Sequence, residues 1–347
     1  MDTLRLICGV SVGLGLLALG GCETVVDVDT PPHTPRLALS YTLSNTPADP
    51  ASVERQGLAE LRALFVSSSQ GVLETKDPTG RGDATVQLFD ESGRLVEQFR
   101  SKAQRGYEYG PTPRDSVYGN YVATKGFVGV PGQRYTLRAS APGVAPLEAS
   151  LALPTVPTIE SAAYVAKPRD PNIPANNYFN LSGRLTIAVA DNPATTDYYL
   201  AYARVLDKQG NYWGSVVRDY NSGGNTIDGP DINLSRFQLS EPSSYYNQYP
   251  FADAGSNGQR LSFSTDVRLY SGGGYDPNGG GNPEPGYIEV TVSSITPDTY
   301  RFYQSALRYF DTDGNPFAEP APLHSNLSGG YGLFGGATDA TYRVKLF

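Results

Sequence analysis

The stretch that most resembles a chemical site is the glycine-rich SGGYGLFGG at residues 328–336. Its Gly330-x-Gly332-x-x-Gly335 spacing matches a dinucleotide-binding loop, in which a helix N-terminus contacts a pyrophosphate. That chemistry needs a helix directly after the loop and an acidic residue about twenty positions later. Only twelve residues follow Gly335, and the last of them, ATYRVKLF, alternate like a β-strand. We therefore reject a nucleotide site and interpret the stretch as a folded loop packed on a helix.

Histidine and cysteine chemistry is nearly absent from the chain. The sequence has two His, His33 and His324, and two Cys, Cys8 and Cys22. A Ser-His hydrolase needs a positioned imidazole, for which only His324 beside Ser325 is suitable, and no G-x-S-x-G motif accompanies it. Zinc sites need several His or Cys ligands. We expect no catalytic residue, no metal and no cofactor.

Acidic residues offer one further candidate for chemistry. The stretch DTDGNPFAE (311–319) spaces oxygen ligands like a calcium loop, with Asp311, Asp313, Asn315 and Glu319. The EF-hand pattern requires Gly at its sixth position and Glu at its twelfth, where this chain has Pro316 and Pro322. The match is therefore broken, although calcium near Asp311 and Asp313 stays open. A carboxylate pair for glycoside hydrolysis cannot be chosen among 35 acidic residues.

The N-terminal residues predict where the chain is delivered. One basic residue, Arg5, precedes an apolar run from Leu6 to Leu19 that is too short for a comfortable membrane span. The following Leu19-Gly20-Gly21-Cys22 resembles a bacterial lipobox, in which the Cys becomes the acylated N-terminus. We predict a lipoprotein signal peptide at 1–21 and a lipidated tether at 22–35 that attaches the protein to a membrane.

Charge excludes one large class of partners. The chain carries 27 basic and 35 acidic residues, a formal net charge of −8. A surface of this sign repels phosphate backbones. We therefore expect no nucleic-acid partner.

Composition and alternation predict an all-β fold with two β-rich domains. Gly, Pro and Tyr are abundant, and they separate short runs of β-branched and aromatic residues. Residues 36–157 contain five alternating segments, which indicate a sandwich of the immunoglobulin or transthyretin type. The segments are 36–43, 84–90, 94–100, 133–140 and 147–154.

The prolines of 154–159 mark a boundary, and residues 158–347 are predicted as a second β-rich domain. Its strands are expected at 184–191, 197–207, 259–270 and 287–295. One helix is predicted at 297–310, because Thr296 is a suitable N-cap, Pro297 fits the first helical position and Asp298 favours the positive end of the dipole. Its apolar face should lie across a sheet.

Three long segments of the second domain combine Tyr with Gly, Ser and Asn, as binding loops do. They are residues 218–235, 241–258 and 270–287. Loops of this length are commonly functional or disordered, and long Tyr- and Gly-rich loops also occur without a ligand. The candidate contact residues are Tyr245, Tyr246, Tyr249, Phe251 and Tyr275.

The C-terminal third resembles a known family. The stretch SSITPDTYRFYQSALRYF, then NPFAEP, an Asn-containing turn and G-G-x-G-x-F closely resemble the signature of the lipoprotein family called domain of unknown function 4249, in which a helix of the form Y-x-x-Y-x-x-S-L leads into NPFAEP. The stretches DVDTPP and VPGQRYTLRASAPG (130–143) also resemble family positions. The matching residues, which we interpret as structural, are Asn315, Pro316, Phe317, Glu319, Pro320, Asn326, Gly329, Gly330, Gly332 and Phe334.

The resemblance implies a location and a partner but no reaction. Members of the family look like outer-membrane lipoproteins of Gram-negative bacteria, often encoded beside TonB-dependent transporters. We therefore expect a non-catalytic, lipid-anchored protein that binds a glycan or peptide ligand or assists such a transporter. Two alternatives stay open, a carboxylate-dependent hydrolase acting on glycans and a surface lipoprotein with a purely structural role.

Overall fold

The structure is a computed structural model, and it describes residues 32–47, 58–71, 80–102, 119–169, 171–172, 181–219, 238–242, 247–271, 284–312 and 321–346. One compact unit consists of Pro35–Ser69 and Asp77–Phe347, and it holds every helix and strand given below. A second unit consists of Met1–Thr34 and Gln70–Lys76. The segments predicted as signal peptide and lipobox, and most of the predicted tether, lie outside the described residues.

Two helices and fifteen strands make up the described chain. In order, they are β1 (Leu37–Ser44), α1 (Leu58–Leu61), β2 (Phe65–Ser68), β3 (Thr85–Asp90), β4 (Leu95–Ser101), β5 (Tyr121–Ala123), β6 (Arg134–Ser140), β7 (Leu147–Ala152), β8 (Thr158–Ala166), β9 (Leu181–Ala190), β10 (Tyr198–Asp207), β11 (Tyr212–Arg218), β12 (Phe251–Ala252), β13 (Arg260–Ser271), β14 (Pro285–Ile295), α2 (Pro297–Thr312) and β15 (Tyr331–Lys345). The all-β class is confirmed, and each strand segment predicted above overlaps an observed strand.

The strands form two sheets. The ten-stranded sheet has the order β2-β1-β15-β14-β10-β11-β13-β9-β8, with β12 paired to β10. The five-stranded sheet has the order β5-β4-β3-β6-β7. It packs against β1, β2 and the beginning of β15, where Leu39, Leu137 and Phe334 share one buried core. A sandwich is therefore present, as predicted for this part of the chain.

The sandwich includes the last strand of the chain. β1 pairs with β15 in parallel, with Leu39 opposite Gly332 and Leu43 opposite Gly336. Because β15 also pairs with β14, the first and last strands belong to one continuous sheet. The predicted division of the chain at residue 157 is not confirmed. Pairing between residues some 290 positions apart leaves no local pattern, since each strand alternates in the same way whichever partner it has.

The ten-stranded sheet encloses a core of its own. Strands β8 and β15 contact each other although they are far apart in the sheet order, so the sheet curves around its inner face. That face carries Leu185, Ile187, Val205 and Val290, each fully buried. This core holds β9 to β14 in fixed positions, and the candidate site described below lies at their ends.

Helix α2 confirms the predicted helix and its N-cap. Thr296 Oγ1 accepts a hydrogen bond from Thr299 N at 3.4 Å, and Thr296 O accepts one from Tyr300 N at 3.0 Å. The helix covers the ten-stranded sheet through Tyr303, which is buried, and Tyr300, whose ring lies 4.7 Å from that of Tyr198. The expected apolar face therefore lies across a sheet.

A buried ion pair joins the segment after β1 to β15. The Arg62 guanidinium donates to both Asp339 oxygens, from Nη1 to Oδ2 at 2.6 Å and from Nη2 to Oδ1 at 2.9 Å. Hydroxyls of Ser44, Thr46 and Ser293 also donate to this carboxylate. Burial alone would raise the pKa of Asp339, but the Arg62 charge and these hydrogen bonds outweigh it and lower the pKa to about 2. The pair is saturated with partners and has a structural role.

Candidate functional site

Three acidic residues meet at one end of the ten-stranded sheet. Asp191 directly follows β9, Asp197 directly precedes β10, and Asp253 directly follows β12. Each contributes one carboxylate oxygen, and these three oxygens lie within 4.8 Å of one another. Among the described residues this is the one group of three or more His, Cys, Asp or Glu side chains close enough to hold a metal ion. We call it the acidic cluster.

Strand pairing places two of the three acids. Tyr198 pairs with Ala252 and Tyr199 with Phe251, so the residues flanking these pairs, Asp197 and Asp253, also lie side by side. Asp253 N donates to Asp197 O at 3.2 Å, and Asp197 N donates to Asp253 Oδ2 at 2.9 Å. The position of Asp253 is thus set by the backbone.

The third acid enters from the loop after β9. Pro193 and the Asn192 side chain, which accepts a hydrogen bond from Ala194 N at 3.1 Å, turn the chain there. Asp191 Oδ1 accepts from the Tyr199 hydroxyl at 2.7 Å, and Asp191 Oδ2 accepts from Gly258 N at 2.6 Å. The Asp191 carboxylate is therefore aimed toward β10 and toward the loop after β12.

The two loops around the cluster pack closely. Gly258 has a φ of +75°, and a Cβ built there would lie 2.7 Å from Pro193 Cβ. Only a glycine combines this backbone conformation with this close approach. The loops at 191–197 and 253–259 are therefore in close contact beside the cluster.

The negative charge of the acidic cluster is not balanced by a basic side chain of the described residues. Asp253 is fully buried, and its Oδ1 has no hydrogen-bond partner. Burial raises the pKa of Asp253, the hydrogen bond from Asp197 N lowers it, and the charges of Asp191 and Asp197 raise it further. In the described part of the chain, no Lys or Arg forms an ion pair with any of the three. Such a group can bind a cation or share a proton.

None of these three residues was among the sites predicted from the sequence. Asp191 and Asp197 flank the short stretch NPATT, which is typical of a turn. A pair of acids around a turn between two strands was the one signal available, and it is weak. The third acid is more than fifty positions away and enters only through the pairing of β12 with β10.

The predicted contact residues fall into different environments. Tyr245, Tyr246 and Tyr275 lie outside the described residues. Tyr249 is half-buried; its N donates to Ser240 Oγ at 2.9 Å and its ring lies 5.6 Å from the Arg218 guanidinium. Phe251 is 5% exposed and belongs to the core of the ten-stranded sheet. Its ring is unavailable as a surface contact, because the residue pairs with Tyr199 and its side chain points inward.

Strand directions separate the Tyr-rich segments. β11 ends at Arg218 on the side of the sheet where β10 begins, and β12 pairs with the first residues of β10. β13 ends at Ser271 opposite Gly214, and β14 begins at Pro285 opposite Asp207, the last residue of β10. Described residues of two of these segments, 218–219 and 247–258, therefore lie toward the end that holds the acidic cluster. The strand ends that flank Tyr275 lie at the opposite end.

The glycine-rich stretch is a strand, which corrects the predicted loop. Residues 331–336 form the first part of β15 and pair with β1. A Cβ at Gly332 would lie 2.0 Å from Leu39 O, and one at Gly330 would lie 2.6 Å from Leu37 O. One at Gly329, at a φ of +84°, would lie 2.4 Å from Pro146 O. The glycines therefore allow close backbone packing. Because glycine is usually depleted in strands, a stretch rich in glycine does not look like a strand in the sequence.

Family-motif side chains complete the hydrogen bonding of this strand. β14 pairs with β15 only from Ala337 onward, so the preceding residues have one edge without a strand partner. The Asn326 amide takes that place, since its Oδ1 accepts from Phe334 N and its Nδ2 donates to Phe334 O, both at 2.9 Å. Phe334 is fully buried and stacks on Tyr41 with centroids 6.0 Å apart. These contacts are structural.

The remaining candidates from the sequence can also be placed. His324 Nε2 lies 2.9 Å from Asp298 Oδ1, whereas Ser325 Oγ accepts hydrogen bonds from Leu327 N and Gly332 N. Asp311 lies in the last turn of α2. The other residues of the interrupted calcium loop and of NPFAEP lie outside the described residues, namely Asp313, Asn315, Pro316, Phe317, Glu319 and Pro320.

Two comparisons with known proteins add little about activity. No curated protein matches the chain by sequence. One solved structure, a glycosyl hydrolase family 2 (GH2) member from Bacteroides cellulosilyticus DSM 14838, is similar at 13% identity and a TM-score of 0.17. The alignment covers 76% of this chain and only 28% of that one, and a TM-score this low carries no argument. Within the described residues, no helix is both long and apolar enough to cross a bilayer.

The family comparison covers most of the chain. The family model described as Domain of unknown function (DUF4249) matches residues 60–343. This range includes the end of α1, all strands from β2 to β14, α2 and most of β15, with Asn326 and Phe334. The chain belongs to the DUF4249 family.

Proposed function

We propose that the protein is an outer-membrane lipoprotein with a non-catalytic role, in which it binds a nutrient ligand or assists a TonB-dependent transporter. The observation that carries the proposal is the sequence Leu19-Gly20-Gly21-Cys22 directly after an apolar run. Thirteen residues rich in Pro and acids, 23–35, then separate Cys22 from Arg36, next to the start of β1. This arrangement suits a folded domain held near a membrane by an acylated cysteine and a short tether.

The ends of the ten-stranded sheet support the binding role. Residues 238–242 and 247–252 are held on β10, because Ser240 N donates to Ala201 O at 2.7 Å and the Tyr202 hydroxyl donates to the buried Gln248 Oε1 at 2.8 Å. In the sequence, Tyr245 and Tyr246 lie between these two held stretches. Rigid aromatic rings on a fixed scaffold are well suited to recognition, since they offer contact area at low entropic cost.

Replacing Cys22 with Ser should abolish lipid attachment. Cys22 is the cysteine that the lipobox places at the cleavage site, and a serine hydroxyl does not replace the thiol that is acylated. Metabolic labelling with a fatty-acid analogue, followed by membrane fractionation, measures the effect. The parent should carry the label in the outer-membrane fraction, and Cys8→Ser, in the signal segment, should behave like the parent. Label on the Cys22→Ser protein would refute the lipobox.

Replacing both Tyr245 and Tyr246 with Ala should weaken ligand binding without unfolding the protein. Truncating an aromatic hot spot costs about 2 kcal/mol, or about 30-fold in affinity. Exposed substitutions shift stability by only about 0.5 kcal/mol. Capture of a TonB-dependent transporter by the lipidated protein, quantified by mass spectrometry, measures the effect. Tyr342→Ala, an exposed position on β15, is the matched control. Undiminished capture by the double variant would show that these two rings do not contact the transporter. If the parent captures no transporter, a purely structural lipoprotein would be favoured.

A further inference from the structure

We propose that Asp191, Asp197 and Asp253 bind one calcium ion, which joins the loop between β9 and β10 to the loop after β12. The proposal rests on the geometry of the acidic cluster and is independent of the lipid anchor. The sequence patterns predicted no metal and left calcium open only near Asp311 and Asp313, so this site is a different one.

Three carboxylates this close favour a positive charge or a proton between them. Their oxygens lie within 4.8 Å of one another, which is about twice a calcium–oxygen bond of 2.3–2.6 Å. One ion could therefore touch all three. No basic side chain of the described chain is paired with them, so the like charges repel in a partly buried site.

The buried oxygen of Asp253 points to a ligand independently of the charges. Asp253 is 0% exposed and its Oδ1 has no hydrogen-bond partner, whereas its Oδ2 accepts from Asp197 N. A buried charged oxygen without a partner is costly, and native proteins almost always satisfy such atoms. A cation bound to Oδ1 removes that cost, and the backbone holds the carboxylate beside Asp197.

The ligand atoms select calcium over other common ions. The three side chains offer only oxygen, which excludes the nitrogen and sulfur set that structural zinc prefers. Magnesium demands a near-ideal octahedron and retains its waters, whereas calcium takes six to eight oxygens in irregular arrangements. The two loops can add main-chain carbonyls, and water can complete the set. Sites that combine few carboxylates with loop carbonyls resemble extracellular calcium modules, with Kd of about 10⁻⁴–10⁻³ M.

The ion would stiffen the end of the sheet that carries the Tyr-rich segment. Asp253 follows β12 directly, and β12 closes the segment from 238 to 252. A bound ion would fix this end to Asp191 and to the start of β10. The cluster would then hold in place the scaffold on which Tyr249 and its neighbours lie.

Thermal unfolding of the full chain, stripped with a chelator, tests the proposal. At constant ionic strength, calcium at about tenfold its Kd should raise the Tm by about 3 °C relative to EDTA. Magnesium at the same concentration should have a much smaller effect. Isothermal titration with calcium should give one site per chain. Terbium bound at the cluster should luminesce on tyrosine excitation, because the Tyr199 hydroxyl lies 2.7 Å from Asp191 Oδ1.

The variant Asp253→Asn tests whether Asp253 binds an ion or has only a structural role. The amide keeps the shape of the side chain and removes one charge, so in EDTA the variant should melt at or above the parent temperature. In calcium it should melt below the parent, with no calcium response and no terbium signal. Asp207→Asn is the matched control, since Asp207 is 5% exposed but accepts hydrogen bonds from Gln209 N, Asn211 N and Asn211 Nδ2. It should lose stability equally with and without calcium.

Two outcomes would overturn the proposal. One is a parent Tm that is the same in calcium and in EDTA, together with no heat of calcium binding. The other is a calcium response that Asp253→Asn retains in full while folding normally, as judged by circular dichroism. In either case the acids would be balanced by a shared proton or by solvent, and the cluster would hold no ion.

Discussion

Replacing Arg62 with Ala should lower the free energy of unfolding by about 3 to 5 kcal/mol, because it leaves the Asp339 carboxylate buried without its counter-charge. The side chains of Arg62 and Asp339 are 10% and 5% exposed, and both terminal guanidinium nitrogens, Nη1 and Nη2, donate to the carboxylate. Arg62→Lys should lose less, since it keeps the charge but not the bidentate geometry. Urea denaturation measures the change.

The matched control is an ion pair at the surface. Lys208 and Glu284 also form a salt bridge, but their side chains are 58% and 50% exposed. Solvent screens such a pair, so Lys208→Ala should change the free energy of unfolding by less than about 1 kcal/mol. Similar losses of stability in Arg62→Ala and Lys208→Ala would show that burial does not increase the contribution of the ion pair to the free energy of unfolding.

The same ion pair should contribute to acid denaturation. The pKa of Asp339 is about 2 in the folded protein, below its ordinary value of 3.8. Because the folded pKa is depressed, the contribution is complete above about pH 4 and is lost as the pH falls toward 2, about 2 kcal/mol in all. Arg62→Ala should therefore show a shallower loss of stability in this range. An unchanged slope would contradict the assignment.

Replacing Gly332 with Val should destabilise the fold by about 3 kcal/mol or more. Gly332 has a φ of +112°, and a Cβ there would lie 2.0 Å from Leu39 O, an atom of the paired backbone. Neither the strain nor the collision can be relieved by turning a side chain, so β1 and β15 must separate locally. A lower Tm and faster amide exchange in β1 are the expected results.

The control variant Gly132→Val measures the cost of backbone strain in the absence of a steric clash. Gly132 has a φ of +80°, and a Cβ there would meet no atom within 4 Å. Its replacement should cost about 1 to 2 kcal/mol, from the left-handed backbone alone. Equal losses at the two glycines would mean that close packing of β15 on β1 contributes nothing. Unchanged stability of Gly332→Val with reduced ligand binding would instead make this stretch a contact surface.

Local patterns predicted most of the secondary structure. Alternation identified β1, β3, β4, β6 and β7, and the turn between β3 and β4 contains Gly93 at a φ of +80°. The Thr296 N-cap and the spacing of Tyr300 and Tyr303 identified α2. These features depend on neighbours in sequence, because side-chain periodicity, capping and turn conformation act over a few residues.

Burial was harder to predict than strand position. Phe251 stood among Tyr, Asn and Pro in a segment with the composition of a binding loop, yet it lies in the core. Composition describes the whole segment, whereas the pairing of Phe251 with Tyr199 decides which face its ring occupies. A shift of one residue in that pairing would have pointed the ring the other way.

The sequence by itself determined the all-β class, the family motif and the one long helix of the described residues, because each depends on residues that are close together in the chain. Only the tertiary structure decided that β15 completes the sandwich beside β1, that Arg62 neutralises Asp339, and that Asp191, Asp197 and Asp253 converge. These three arrangements join residues from about 60 to more than 290 positions apart. Their energies come from strand pairing, burial and charge in space, and no spacing along the chain records them.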